Sequence, residues 1–160
     1  MPAEGSSPLE ILGAGVDMDS TLTPMVCTGI VGKPGALVEV RHHLERWAAN
    51  TGLSASALAD LVLSTYEALA NAAEHAYPSG HGAVDLVAAR TTDGRVLVAV
   101  RDHGRWRPPP ADPGFRGRGL LMINALSRRA EVKQGPHGTT VHMEWELPPT
   151  VGGPRATQHR

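Results

Sequence analysis

Three short stretches of this chain carry residue types that could do chemistry. In the first, Glu67 and Asn71 stand four residues apart. On a helix that spacing sets a carboxylate and an amide oxygen one turn apart on one face. Two oxygen donors so placed suit a hard cation such as Mg²⁺, and the carboxylate is able to take a proton. A solvated helix face would read the same way, although Asn is a poor helix-interior residue. In the second, Asp102-His103-Gly104 falls where a strand ends. A carboxylate there can accept a hydrogen bond from an exocyclic amine, while the glycine lets a flat ring approach the backbone. An ordinary Asp-x-Gly turn has the same pattern. In the third, Gly117-Arg118-Gly119 opens a helix. Bare N–H groups at a helix N-terminus favour phosphate, and Arg116 and Arg118 add positive charge. A glycine-rich helix entry with solvated arginines is the alternative.

The elements that must position these residues follow from periodicity. Met25 to Val31 is a short apolar run, a first strand. Gly32-Lys33-Pro34-Gly35 turns the chain. Leu37, Val40, Leu44 and Trp47 recur at helical spacing and predict a helix over 36–49. Ser54 is an N-cap for a second helix running to about Tyr77. On that helix Asp60, Ser64, Glu67, Asn71, Glu74 and His75 form a polar stripe, and Leu58, Leu61, Val62, Leu69, Ala72, Ala73 and Ala76 lie opposite. Two alternating runs, 84–90 and 95–101, flank Asp93-Gly94, a strong hairpin signal. A Pro-rich stretch then leads to 117–129, which contains a short third helix, and to a strand over 130–134. In the last strand Val141, Met143, Trp145 and Leu147 share one face, and Thr140, His142, Glu144 and Glu146 the other. The order β-α-α-β-β-α-β-β predicts an α+β sandwich with helices on one face of a mostly antiparallel mixed sheet.

Composition bounds the function. The chain has 160 residues, enough for one domain, and a net charge of −1, which argues against general nucleic-acid binding. Cys27 is the only cysteine, so an internal disulfide and a cysteine zinc site are both excluded, as fits a reducing cytoplasm. No run reaches the length of a membrane span, and the acidic start lacks the pattern of a secretory signal. Residues 1–22 read as a flexible leader, 23–148 as the domain and 149–160 as a flexible tail. A P-loop around Gly32-Lys33 fails at Cys27 and Pro34, and Gly117-x-Gly119-x-x-Met122 lacks the third glycine of a dinucleotide fingerprint.

In combination the pieces resemble a known family. Glu67-Ala-Leu-Ala-Asn71-Ala-Ala-Glu-His75-Ala-Tyr77 resembles the N box of GHKL ATPases, in the version of anti-sigma factor serine kinases of the RsbW and SpoIIAB type. Val100-Arg-Asp102-His-Gly104 resembles the G1 box, Gly117-Arg-Gly119-Leu120 the G2 box, and Gly138-Thr139-Thr140-Val141 the final Gly-Thr element. The resemblance spans about 25–147. It implies a two-layer α/β sandwich of the GHKL (Bergerat) type that binds ATP with Mg²⁺. It implies Asn71 as metal ligand, Glu67 as general base, Asp102 as partner of the adenine amine and Gly104 beneath the ring. Gly117, Arg118, Gly119 and Leu120 would bind the phosphates, Thr140 would lie near adenine, and Arg105–Arg116 would form a lid. The implied activity is a protein serine/threonine kinase that acts as an anti-sigma factor and phosphorylates a STAS-domain anti-anti-sigma antagonist, with a homodimer as a further expectation. One departure stands out: the usual Asp-x-Gly-x-Gly has Trp106 at its second glycine. That favours the alternative of a nucleotide-binding anti-sigma adaptor without significant kinase activity.

Overall fold

The computed structural model describes residues 7–75, 82–104, 114–136 and 138–149; for His75 and 114–119 it describes the backbone alone. Five strands form one sheet: β1 (Met25–Val31), β2 (Ala83–Arg90), β3 (Arg95–Asp102), β4 (Arg129–Gly135) and β5 (Gly138–Glu146). Their spatial order is β1-β2-β3-β5-β4, and all four pairings are antiparallel, so the described sheet contains no parallel pair. Three helices, α1 (Pro34–Ala48), α2 (Ala55–His75) and α3 (Gly114–Leu126), complete the expected α+β sandwich.

Local chemistry explains the boundaries. Ser54 caps α2, its Oγ accepting from the N–H of Ala57 at 3.2 Å. Gly94, at φ +84°, closes the β2–β3 hairpin, with Thr91 N–H donating to Arg95 O at 2.8 Å. The helix-facing residues of the sheet are Val84, Leu86 and Ala88 of β2, Val96, Val98 and Val100 of β3, and Met143 and Trp145 of β5. They pack with Leu37, Leu44 and Trp47 of α1, Leu61, Ala68 and Leu69 of α2, and Ile123 of α3. Both core tryptophans have their N–H satisfied. Trp47 Nε1 donates to Thr23 O and Trp145 Nε1 to Leu126 O, each at 2.9 Å. Trp47 is buried in the core. Cys27 packs against the same cluster, and burial pushes its thiol pKa up.

The back of the sheet differs from expectation. Residues 8–18, part of the stretch read as a flexible leader, lie against it. A 3-10 helix (Pro8–Leu12) buries Leu12 with Val87, Ala89 and Ala99. Met18 bridges to Thr91. The guanidinium of Arg90 holds Asp19 Oδ2 at 3.0 Å, Thr21 Oγ1 at 2.7 Å and Thr51 O at 3.1 Å. The apolar runs of β2 and β3 fill both faces of the sheet, so the back requires a cover, and the leader provides it. The tail beyond Pro149 lies outside the described residues.

Candidate functional site

The register of the strands shows which ends meet. Val31 pairs with Ala83, and Val84 with Asp102, so the close of β1, the start of β2 and the close of β3 form one end of the sheet. Gly32, just past β1, touches α2 so closely that a Cβ there would lie 2.6 Å from Ala73 Cβ. The C-terminal half of α2, with Asn71 two residues before Ala73, therefore reaches the end of the sheet that holds Asp102. The start of α2 lies at the other end, where Arg90 binds Thr51 O. The C-terminus of α3 is also tied to that other end by Trp145, whose strand partner is Val96. A 13-residue helix spans about 20 Å, which returns the first turn of α3 to the Asp102 end. The two helices pack against each other along the way.

Asp102 is the best-defined group at this end. Its side chain continues the helix-facing series of β3 and is 9% exposed. Oδ1 accepts two backbone N–H groups, from Gly104 and from Thr139, each at 3.1 Å. Burial raises the carboxyl pKa, while those two donors, and then the charges of His103 and Arg101, pull it back. Both described hydrogen bonds converge on Oδ1, which leaves Oδ2 as an acceptor for a ligand donor. Gly138 makes the arrangement possible. It sits at φ +148°, and a Cβ on it would lie 2.0 Å from the Asp102 carbonyl oxygen.

On α2, Glu67 and Asn71 are both half-buried, as a lined site requires. Ser64, on the same stripe, is fully buried, as is its neighbour Thr65, and neither hydroxyl has a hydrogen-bond partner among the described residues. The stripe is thus turned into the molecule over part of its length, which a simple solvated face would not be. The side chain of His75 and residues 76–81, Tyr77 among them, lie outside the described residues.

Two expectations are corrected. Thr140 stands on the back of the sheet: it pairs with Arg101 on one side and Lys133 on the other, and lines a shallow pocket of about 230 Å³ with both. The residue beside Asp102 is Thr139, acting through its backbone N–H. The alternation of β5 was legible, and Thr139 shares the parity of Val141, Met143 and Trp145. The third helix begins at Gly114 instead of Gly117, so 114–116 belong to it and not to a lid. Only its first four amides, up to Gly117, lack helical acceptors. The amide of Gly119 belongs to the helical ladder. The side chains of 114–119 and the whole of 105–113, including Arg118 and Trp106, lie outside what is described. Leu120, the remaining residue of that box, is 38% exposed.

The donor chemistry fits a nucleotide with its metal. A buried carboxylate acceptor stands at one strand end, two adjacent oxygen donors on a helix that reaches the same end, and a helix N-terminus facing it. No group of three or more His, Cys, Asp or Glu forms a metal cage among the described residues. Mg²⁺ is usually held by one or two protein oxygens together with substrate phosphates, and the Asn71 amide oxygen is of the type that could supply one.

A helical layer on an antiparallel sheet, with these groups at one end, defines a nucleotide-binding ATPase-type sandwich. The chain belongs to the family of histidine kinase-like ATPase domains, whose profile matches residues 30–145. Among solved structures it is similar to the RsbU and RsbW domains of Rv1364c from Mycobacterium tuberculosis, at 31% identity and a TM-score of 0.63. That match covers 78% of this chain and 32% of the mycobacterial one, so this chain spans about a third of that relative. The SiaB–SiaC complex from Pseudomonas aeruginosa shares the fold at 19% identity and a TM-score of 0.58, covering 75% of this chain and 88% of that one. The histidine kinase domain of the blue-light-activated kinase EL346 from Erythrobacter litoralis shares it at 20% identity and a TM-score of 0.52, covering 88% and 68%. No described helix is long and apolar enough to cross a membrane.

Proposed function

We propose that this protein is an ATP-dependent serine/threonine kinase that acts as an anti-sigma factor in the cytoplasm and phosphorylates a STAS-domain antagonist. The observation that supports the reading is that α2, the helix of Glu67 and Asn71, reaches through Ala73 the sheet end that holds Asp102, whose carboxylate accepts from Gly104 and Thr139 N–H. The likeness to a chain containing an RsbW domain supports the partner class.

In this reading Asp102 Oδ2 accepts the exocyclic amine of adenine, and Gly104 leaves room for the ring. The Asn71 amide oxygen holds Mg²⁺. The cation, when bound, neutralises charge on the phosphates. Gly117 and the first turn of α3, with Arg118, Gly119 and Leu120 around it, bind the phosphates. Glu67, one turn from the metal ligand, accepts the proton of the incoming serine hydroxyl. The sigma factor and the antagonist compete for the protein, which binds neither DNA nor membrane and acts as a homodimer.

The second reading is an adaptor that binds nucleotide without transferring phosphate. Trp106 at a position usually held by glycine favours it. Incubation with labelled ATP, Mg²⁺ and purified STAS-domain proteins separates the two. Label on a serine or threonine of the STAS protein supports the kinase; a stable complex without label supports the adaptor.

A further inference from the structure

Asp102 and His103 are consecutive, and they are held from opposite faces of the sheet. Asp102 faces the helices. His103 turns to the back, where its Nε2 lies 2.7 Å from Oδ2 of Asp85, a residue of β2. The other oxygen of Asp85 is also engaged: Oδ1 accepts from the N–H of Gly29 at 2.9 Å. Gly29 sits at φ +68° in β1, where the register shifts between Cys27 and Ile30. One carboxylate thus ties the turn after β3 to a bulge two strands away.

The division of labour within Asp85 is informative. Oδ1 serves the bulge and Oδ2 serves His103. The Asp85 side chain is 18% exposed and that of His103 46%. A half-exposed histidine gains little from burial, yet here it is fixed by a carboxylate that is itself oriented by a second hydrogen bond. What this fixes is the peptide between Asp102 and Gly104, the two residues assigned to the base.

We propose that Asp85 is a positioning residue for nucleotide recognition: acting through His103, it holds the Asp102–Gly104 turn in the register that prefers adenine to guanine. The proposal rests on the assignment of Asp102 to the adenine amine. Hydrogen bonds weaken steeply with misalignment, so a turn released on its back side loses adenine selectivity before it loses phosphate binding.

The test is calorimetric titration of Mg-ATP and Mg-GTP into the full chain and into Asp85→Ala, His103→Ala, the double variant and His103→Gln. Thermal denaturation of each runs alongside. Wild type is expected to prefer ATP. Each single alanine variant should lose about tenfold in ATP affinity with GTP affinity little changed, and the double variant should lose no more than the singles, as coupled neighbours do. His103→Gln, whose amide can still donate to Asp85, should recover most of the selectivity. Melting temperatures that fall while the ATP-to-GTP ratio holds would overturn the proposal and leave the bond a structural tie. Additive losses in the double variant would overturn it as well. His103→Ala alters only a half-exposed side chain, so it keeps the question answerable if Asp85→Ala fails to fold. A wild type that binds both nucleotides equally would instead remove the Asp102 assignment, and the proposal with it.

Discussion

Replacing Gly138 by alanine should damage the fold and the nucleotide site together. The new Cβ would lie 2.0 Å from the Asp102 carbonyl oxygen, 3.0 Å from its carbonyl carbon and 3.2 Å from His103 Cα. Ordinary contact begins at 3.4 Å, so backbone has to recede by more than an ångström. All three neighbours are backbone atoms, and no flexible side chain can yield instead. The φ of +148° adds strain for any residue with a Cβ. Overpacking costs about 1–3 kcal/mol and an unfavourable backbone region about 1–2 kcal/mol, so the loss should be about 2–5 kcal/mol. For a domain of this size that lowers Tm by about 10 °C. The recession also separates Asp102 from Thr139 N–H, the residue next to Gly138, so ATP affinity should fall more than tenfold. Gly135→Ala is the control within the same hairpin. A Cβ there would meet only Gly138 O, at 3.8 Å, and its effect should stay within about 1 kcal/mol. Thermal denaturation and calorimetric titration of both variants measure the contrast. Equal melting temperatures and equal ATP affinities in the two would refute the close approach on which the site is built.

Other outcomes follow from the same geometry. Asp102→Asn keeps an acceptor for Gly104 and Thr139 but puts a donor where the adenine amine is to bind; ATP affinity should drop about tenfold or more, with Tm at neutral pH unchanged or higher. Because burial raises the Asp102 pKa above its unfolded value, its ionisation opposes folding. Wild type should therefore lose stability relative to Asp102→Asn as pH rises from below the ordinary carboxylate pKa through the raised one, and then level off; melting curves across that rise check the sign. Glu67→Gln should bind ATP normally and lose phosphoryl transfer about 10²-fold or more, whereas Asn71→Ala should weaken Mg-ATP while leaving metal-free nucleotide little changed; titrations with and without Mg²⁺, beside the labelled-phosphate assay, distinguish these. Gly32→Ala should destabilise by about 1–3 kcal/mol through its contact with Ala73, and adding Ala73→Gly should recover part of that, less about 1 kcal/mol of helix propensity; a double variant no better than the single would contradict the contact.

What the sequence disclosed depended on the range of the interaction that carried it. Asp93-Gly94 marked its hairpin because a two-residue turn is a local decision. The alternation along β5 assigned faces to Met143 and Trp145 for the same reason. That alternation also held the answer for Thr139 and Thr140, yet a motif match places residues by order along the chain and is blind to which side of a strand they leave. The burial of Ser64 was hidden because helical spacing groups residues into a stripe without saying what the stripe faces. The docked leader was illegible from its own composition of Gly, Ser and Pro. Its signal lay some seventy residues downstream, in the apolar runs of β2 and β3, where Val87, Ala89 and Ala99 required a partner on the back of the sheet. The links from Asp85 to His103 and from Gly32 to Ala73 are pairings between distant segments, and single-sequence periodicity has no means to announce them.

The hydrogen bond from Thr139 to Asp102 spans 37 residues, and that separation has a consequence for how the protein comes into being. The β2–β3 hairpin can form as soon as its eight-residue strands are made, and Gly104 N–H is a local partner for Asp102, but the Thr139 bond forms only after β5 returns to lie beside β3. Closing so long a loop is an entropic cost met late, after local structure has formed. A chain emerging from the ribosome therefore carries Glu67, Asn71 and Asp102 well before it has a complete pocket, and acquires the pocket with β5. The same logarithmic dependence makes the connection forgiving: doubling its length would cost about 0.6 kcal/mol.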